Sequence, residues 1–263
     1  MKIVRSLIVL SLFLTTACAS GTTIRSKSNY ENELKAKKTI AVLPATAEVY
    51  SQGLGKKERF HDYESNLEEL INSEIVALFK AKGYNVRNLK KQDIHTKGIS
   101  GQVVDFKRSF TSKASFLHNP ALMKTTLALN TNLTLDKKSS NAIQKASESD
   151  VIAVVSYIGT VQNNSARALN FAVGLLTNNY SSVERSTLIV SLIDADTANL
   201  LWSNMEIAGK NFITSGISNL SSQEKADAKN INHLGYNLLK DLPDNALLGL
   251  TKEQKTLATS NNP

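Results

Sequence analysis

The sequence predicts an α/β fold of the α+β kind: a mixed β-sheet that opens with a βαβ unit, carries a β-hairpin in its C-terminal half, and has helices packed on it. Three observations predict this. A short β-branched apolar run, Thr39 to Ala45, precedes a stretch with helical apolar spacing and then a second short strand pattern. Val151 to Gly159 is continuously apolar, the pattern of a strand covered on both faces. Ser186 to Asp194 and Leu200 to Ile207 are strand-like runs on either side of Asp194-Ala195-Asp196-Thr197-Ala198-Asn199, a segment rich in turn formers.

Taken in order, the chain begins with a leader at residues 1–17. Lys2 and Arg5 make a positive start, and Ile3 to Leu14 is an apolar run too short to span a bilayer, which together predict an export signal. Thr15-Thr16-Ala17-Cys18 then resembles the lipobox of bacterial lipoproteins, with Leu14 one place earlier than the usual leucine. Cys18 is the only cysteine in the chain, and it stands where a diacylglyceryl group would be attached. Ala19 rather than Asp follows it, which by the usual sorting rule predicts retention in the outer membrane. Several acyl chains anchor far more firmly than one.

Residues 18–37 are polar with little periodicity and predict a flexible tether between the lipidated N-terminus and a single periplasmic domain over residues 38–250. Within that domain Thr39 to Ala45 predicts a buried strand closed by Pro44, and Val49 to Asp62 predicts a loop. Ser65-Asn66-Leu67-Glu68 has the form of a capping box, and Leu67, Leu70, Ile71, Ile75, Leu78 and Phe79 follow at helical spacing. Lys80 and Lys82 suit the last turn of that helix and Gly83 its left-handed end. Tyr84 to Arg87 then predicts a strand parallel to the first.

An insertion is predicted around residues 96–138. Gln102 to Phe116 alternates, with Val104, Phe106, Phe110, Ala114 and Phe116 on one side, and fits an amphipathic strand, while the choice between helices and hairpins over residues 102–135 stays open. Two readings compete for the next stretch: a strand over Leu127 to Leu135, or a helix begun by Asn119-Pro120 and running to Leu129. Ser139 to Ser147 predicts a short helix. Residues 163–182 fit either a helix or a long hairpin tip. Ser221-Ser222-Gln223-Glu224 repeats the capping-box form, and Ile231, Leu234, Gly235, Leu238 and Leu242 predict one apolar face of a helix ending before Pro243. Residues 251–263 are polar and predict a disordered tail.

Composition narrows the function classes. A net charge of +8 is modest, and two of its contributors, Lys2 and Arg5, lie in the leader. The short clusters Lys35, Lys37, Lys38 and Lys56, Lys57 read as solvated surface, and interleaved aromatic and basic residues, the mark of a nucleic-acid face, are absent. His61, His95, His118 and His233 show no metal-ligand spacing, and Gly53-Leu54-Gly55 lacks the Gly-Lys-Ser/Thr of a phosphate loop. No cofactor is expected. His61-Asp62 is the one adjacent pair that could transfer a proton, although a capping Asp62 and an exposed His61 account for it more simply. Asp150, Asp194 and Asp196 suit turns and caps, and Trp202 suits the core better than a sugar platform. No catalytic residue is assigned, and the chain is not expected to be an enzyme.

The order of elements resembles the curli-export lipoprotein and its relatives in outer-membrane assembly and polysaccharide export. Lys38-Thr39-Ile40-Ala41-Val42-Leu43-Pro44 is similar to that family's opening strand, Val151 to Gly159 to its central strand, and Ser186 to Trp202 to its hairpin, written Asp-x-x-Thr-Gly-x-x-Leu-Trp. Here the motif reads Asp194-Ala195-Asp196-Thr197-Ala198-Asn199-Leu200-Leu201-Trp202. Ala198 replaces the glycine, so a different turn geometry is expected, with Asn199 taking the left-handed region.

The resemblance spans Lys38 to Lys240, interrupted by Thr96 to Lys138. It implies a lipid-anchored interaction protein facing the periplasm from the outer membrane, with an envelope protein as partner and a homo-oligomer as the alternative assembly. Pore-forming members insert two hairpins, and residues 102–135 and 163–182 occupy the corresponding places. Arg108, Arg167 and Asn170 interrupt their apolar sides, and aromatic girdles are missing, so a non-pore role is expected.

Overall fold

The structure, a computed structural model, describes residues 23–27, 29–37, 39–52, 57–59, 61–114, 117, 133–162, 185–208 and 231–245. Their centre is β6 (Val151–Gln162), twelve residues long. It lies between β7 (Arg185–Asp194), antiparallel to it, and two shorter parallel strands that follow one another along its other side. These are β2 (Thr39–Val42), beside Val151 to Ala153, and β3 (Thr46–Gln52), beside Ser156 to Gln162. β5 (Asn85–Asn88) pairs in parallel with β2, which confirms the opening βαβ unit. β8 (Leu200–Ala208) closes the predicted hairpin with β7, and β1 (Thr23–Ser26) adds antiparallel to β8. β4 (Lys57–Arg59) forms a second small hairpin with β3. The main path therefore runs β1-β8-β7-β6-β2-β5, with β1 and β5 at its edges.

Helices cover both faces. Val151, Ala153, Val155 and Tyr157 of β6 point into a core shared with α2 (His61–Ala81) and with a helix over residues 231–239, here α6. Leu67, Ile71, Ile75 and Phe79 of α2 and Leu234 and Leu238 of α6 fill that side. Ile152 and Val154 point the other way, toward α3 (Lys91–Thr96), α4 (Ser100–Ala114) and α5 (Lys137–Ser147). The continuous apolar run in β6 thus serves two cores at once, as its composition predicts. Gly235 lets α6 settle closely on α2, since a Cβ added there would lie 2.6 Å from Leu78 Cδ1.

Four expectations need correction. The polar segment read as a tether carries β1 and α1 (Tyr30–Lys35), and Leu34 of α1 is fully buried in the first core. Ordered chain therefore begins by Thr23, well before residue 38. The segment read as a loop from Val49 contains most of β3 and all of β4, and α2 begins at His61 rather than at the Ser65 box. Residues 100–114 form helix α4 rather than a strand. Val103, Phe106 and Phe110 are buried at i, i+3 and i+7, whereas Val104, assigned to the apolar side by alternation, is 54% exposed. The segment read as an insertion so contributes part of the second core. Finally, the left-handed residue of the β7–β8 turn is Ala198 itself, at φ 59°; Asn199 is not in that region. The alternatives for residues 120–129 and 163–182, the capping box at Ser221 and the tail from 251 lie outside the described residues.

Candidate functional site

The break between β2 and β3 creates a physical problem that α2 solves. β3 is paired with β6 on one side, but on the other it meets β4 only at Tyr50 to Gln52, so the amides of its first half lack a neighbouring strand. Side chains of α2 stand in for one. The amides of Ala45, Ala47 and Val49 donate to Asn72 Oδ1 at 2.9 Å, Glu68 Oε1 at 3.3 Å and Glu64 Oε1 at 2.9 Å. Alternate residues of a strand lie about 6.6 Å apart and every fourth residue of a helix about 6 Å apart, so an antiparallel helix can match each outward amide with one acceptor. Glu68, read in the sequence as half of a capping box, is the middle rung, and its other oxygen takes Lys91 at 2.7 Å.

The end of this ladder gathers charged groups. Glu64 is buried and also accepts from Arg59 Nε at 2.8 Å, while its Oε2 lies 3.3 Å from Nδ1 of His61. Burial pushes the Glu64 carboxyl up, but the bonds from Arg59 and the Val49 amide outweigh it and hold the carboxyl below its usual range. Tyr50 donates to Glu48 Oε2 at 2.6 Å beside them. Here His61, a member of the proposed proton-transfer pair, is 72% exposed and leans on Glu64, three residues along the helix. The side chain of Asp62 lies outside the described residues.

Where β2 and β6 begin and β7 ends, Asp150 and Asp194 hold the strands together. Asp150 Oδ2 accepts from the Thr39 amide at 3.0 Å. Asp194 Oδ1 accepts from the amides of Asp196 and Thr197 at 2.9 and 3.0 Å, and its Oδ2 pairs with Lys37 at 3.0 Å. Burial would raise this carboxyl, yet the turn amides and Lys37 together hold it low. Both aspartates thus have the turn duties that their residue type suggests, and Lys37, read as solvated surface, is engaged at the same corner. Asp196 lends only its backbone.

Sequence reasoning missed a polar stripe on β8. Trp202, Asn204 and Glu206 alternate on the strand and are all buried. Trp202 is fully covered, as expected of a core residue, which removes it as an exposed sugar platform. Asn204 Nδ2 donates to the Leu238 carbonyl of α6 at 2.7 Å. Glu206 is 2% exposed; Asn237 hydrogen-bonds it, Lys240 and His233 lie near, and Oε2 has no partner among the described residues. Burial raises its pKa against the opposing pull of Lys240 and Asn237. The detectable signal was a carboxylate in register with inward-facing Trp202 inside a strand.

His61, His95 and His233 stand on three different helices, and no group of three or more metal-ligating side chains forms among the described residues. Cys18 and His118 lie outside them. No described helix is long and apolar enough to cross a membrane.

No protein-family model and no curated protein matches the sequence. Solved structures overlap it more broadly. A PelC dodecamer from Paraburkholderia phytofirmans shares 9% identity, covers 88% of this chain and 99% of its own, and superposes with a TM-score of 0.36. Lipoprotein GNA1162 from Neisseria meningitidis shares 13% identity over 74% of this chain and 96% of its own, with a TM-score of 0.28. The C-terminal domain of LpoB from Salmonella enterica shares 10% identity over 70% and 96%, with a TM-score of 0.27. Overlaps at this level assign no function.

Proposed function

We propose that this chain is an outer-membrane lipoprotein, anchored through acyl chains on Cys18, whose α/β body binds a protein partner in envelope assembly or export. One observation carries the reading: the basic start, short apolar run and small residues of the leader end on the only cysteine in the chain. The geometry of the body is compatible with a binding role. Asp150, Asp194, Glu64 and Lys37 all act in holding strands and helices together. β5 presents an outer edge with the side chains of Asn85 and Arg87 exposed, a surface suited to polar contact with another protein.

The test is a Cys18→Ser substitution in intact cells followed by fractionation. The parent is expected in the outer-membrane fraction with a mass increment on Cys18, and the variant in the soluble periplasmic or unprocessed pool. A Cys18→Ser protein that still sediments with outer membranes overturns the anchor. A stable ring of many subunits in detergent overturns the scaffold role in favour of an oligomeric export component.

A further inference from the structure

The two edges of the sheet formed by the described residues are not equivalent once the chain is tied to a bilayer, and we propose that the β1 edge is the side held against the lipid headgroups, leaving β5 directed into the periplasm. This rests on acylation of Cys18. Its carrier is the length of chain between that residue and the first strand.

Thr23 is locked to the body. It pairs with Met205, Ile24 with Asn204 and Ser26 with Trp202, and the Lys27 amide donates to the Leu201 carbonyl at 3.0 Å. Behind them Leu34 is buried in the core. Five peptide steps separate Cys18 from Thr23, and at no more than about 3.6 Å per step they reach at most about 18 Å whatever conformation they adopt. A leash of that length is shorter than the body it restrains, since the twelve residues of β6 alone extend about 40 Å.

The exit point lies on one edge, partway along the strands. β1 is the outermost strand, and Thr23 is level with Met205, Ile189 and Ser156 across the sheet. β5 lies five strand spacings away, about 24 Å at about 4.8 Å each. It is also displaced along the strands, because Val86 is level with Ile40 and Val151, five residues back from Ser156 on β6. One displacement runs across the strands and the other along them, and both carry β5 away from the exit point. Tethering at Thr23 therefore brings the β1 edge, with the 37% exposed Ile24, to the headgroups and carries Arg87 away from them.

Acylation consumes the only native thiol, so single cysteines introduced as Ile24→Cys and as Arg87→Cys can each take a fluorophore in the lipidated protein. The proteins are reconstituted in phosphatidylethanolamine and phosphatidylglycerol vesicles containing headgroup-nitroxide lipid as quencher, and an unchanged urea midpoint vouches for each variant. Should Ile24→Cys fail to fold, a label at the exposed Asn29, just beyond β1, takes its place.

Strong quenching at position 24 with several-fold weaker quenching at position 87 is expected. Inserting about 20 Gly/Ser residues between Ala19 and Thr23 should bring the two values together, because a flexible leash of that size lets the body turn. Equal or reversed quenching in a protein whose mass shows the acyl chains overturns this orientation alone. Asymmetry that survives the spacer overturns the leash as its cause. Absence of the acyl mass overturns both the orientation and the anchor.

Discussion

Replacing Asn72 by Leu tests whether α2 truly stands in for a missing strand. The substitution keeps side-chain size but removes Oδ1, the acceptor for the Ala45 amide at 2.9 Å. Ala45 is buried, so its N–H cannot turn to water without opening the sheet beside Pro44. A buried donor left without a partner costs about 1–3 kcal/mol, and the additional apolar surface of leucine returns part of this, so a net loss of about 1–2 kcal/mol is expected. Asn72→Asp is the control. It retains an acceptor, and its like-charge contact with Glu68 one helical turn away should cost no more than about 0.5 kcal/mol. Urea unfolding of the signal-free chain gives the energies, and hydrogen exchange of the Ala45 amide gives the location. Asn72→Leu should raise exchange at Ala45 well above the change at Val49, whose acceptor is untouched. A loss below about 0.5 kcal/mol, with Ala45 as protected as before, would refute the ladder.

Asp194→Asn should cost about 2–4 kcal/mol at pH 7, since it opposes a donor to either the turn amides or Lys37. Because the folded carboxyl is held low, the deficit in denaturant titrations should be complete above the ordinary aspartate value of about 3.9 and shrink as pH falls below it. Lys107 donates to the Pro44 carbonyl at 2.6 Å and to Thr46 Oγ1 at 3.2 Å, and burial lowers its pKa to about 8. The unfolded chain keeps that proton longer, so parent stability should rise between pH 8 and 10 relative to Lys107→Met, by at most about 3 kcal/mol. Glu206→Gln mimics the neutral carboxyl that burial favours; in the same titrations it should match the parent in acid and gain on it as pH rises above about 4.3, where the unfolded carboxyl ionises. Glu148→Gly, at an exposed left-handed helix end with φ 51°, should stabilise by about 0.5–1 kcal/mol in thermal melts, whereas Ala198→Gly should be near neutral because it also loses a buried methyl.

What could be read directly were elements whose signal is local and repeated. β6 announces itself by a run, Val151 to Val155, whose alternate residues enter two cores, and the body of α2 by Leu67, Ile71, Ile75 and Phe79 on one stripe. α4 went astray because a short stretch can match two periods at once. Phe106 and Phe110 belong to either pattern, and only Val103 against Val104 separates them, a choice made by the sheet face beneath. β1 and β3 were not legible for a different reason. β1 is polar and short, and its pairing depends on β8 almost two hundred residues later. β3 is completed by three acceptors on a helix, so the information that makes it a strand is divided between two segments. The Ala198 turn shows the converse: Asp194, through two amide bonds and Lys37, holds the turn tightly enough to keep an alanine where a glycine is easier.

The same accounting of hydrogen bonds separates structural carboxylates from those with chemistry left to offer. Glu64 has Val49 and Arg59 on one oxygen and His61 on the other, and Asp194 has two amides on one oxygen and Lys37 on the other. Each is therefore favoured in its charged form and each resists taking a proton, as a group that fastens strands should. Glu206 differs because burial exceeds pairing: its Oε2 has no partner among the described residues, and the loss of water raises its pKa. Glu206 faces His233 and Asn237 of α6 and Lys240 just past its end, all of which favour the ionised form against the burial that raises its pKa. The seam between β8 and α6 is consequently one place among the described residues where a change of charge has somewhere to act, and it lies one strand inside the β1 edge.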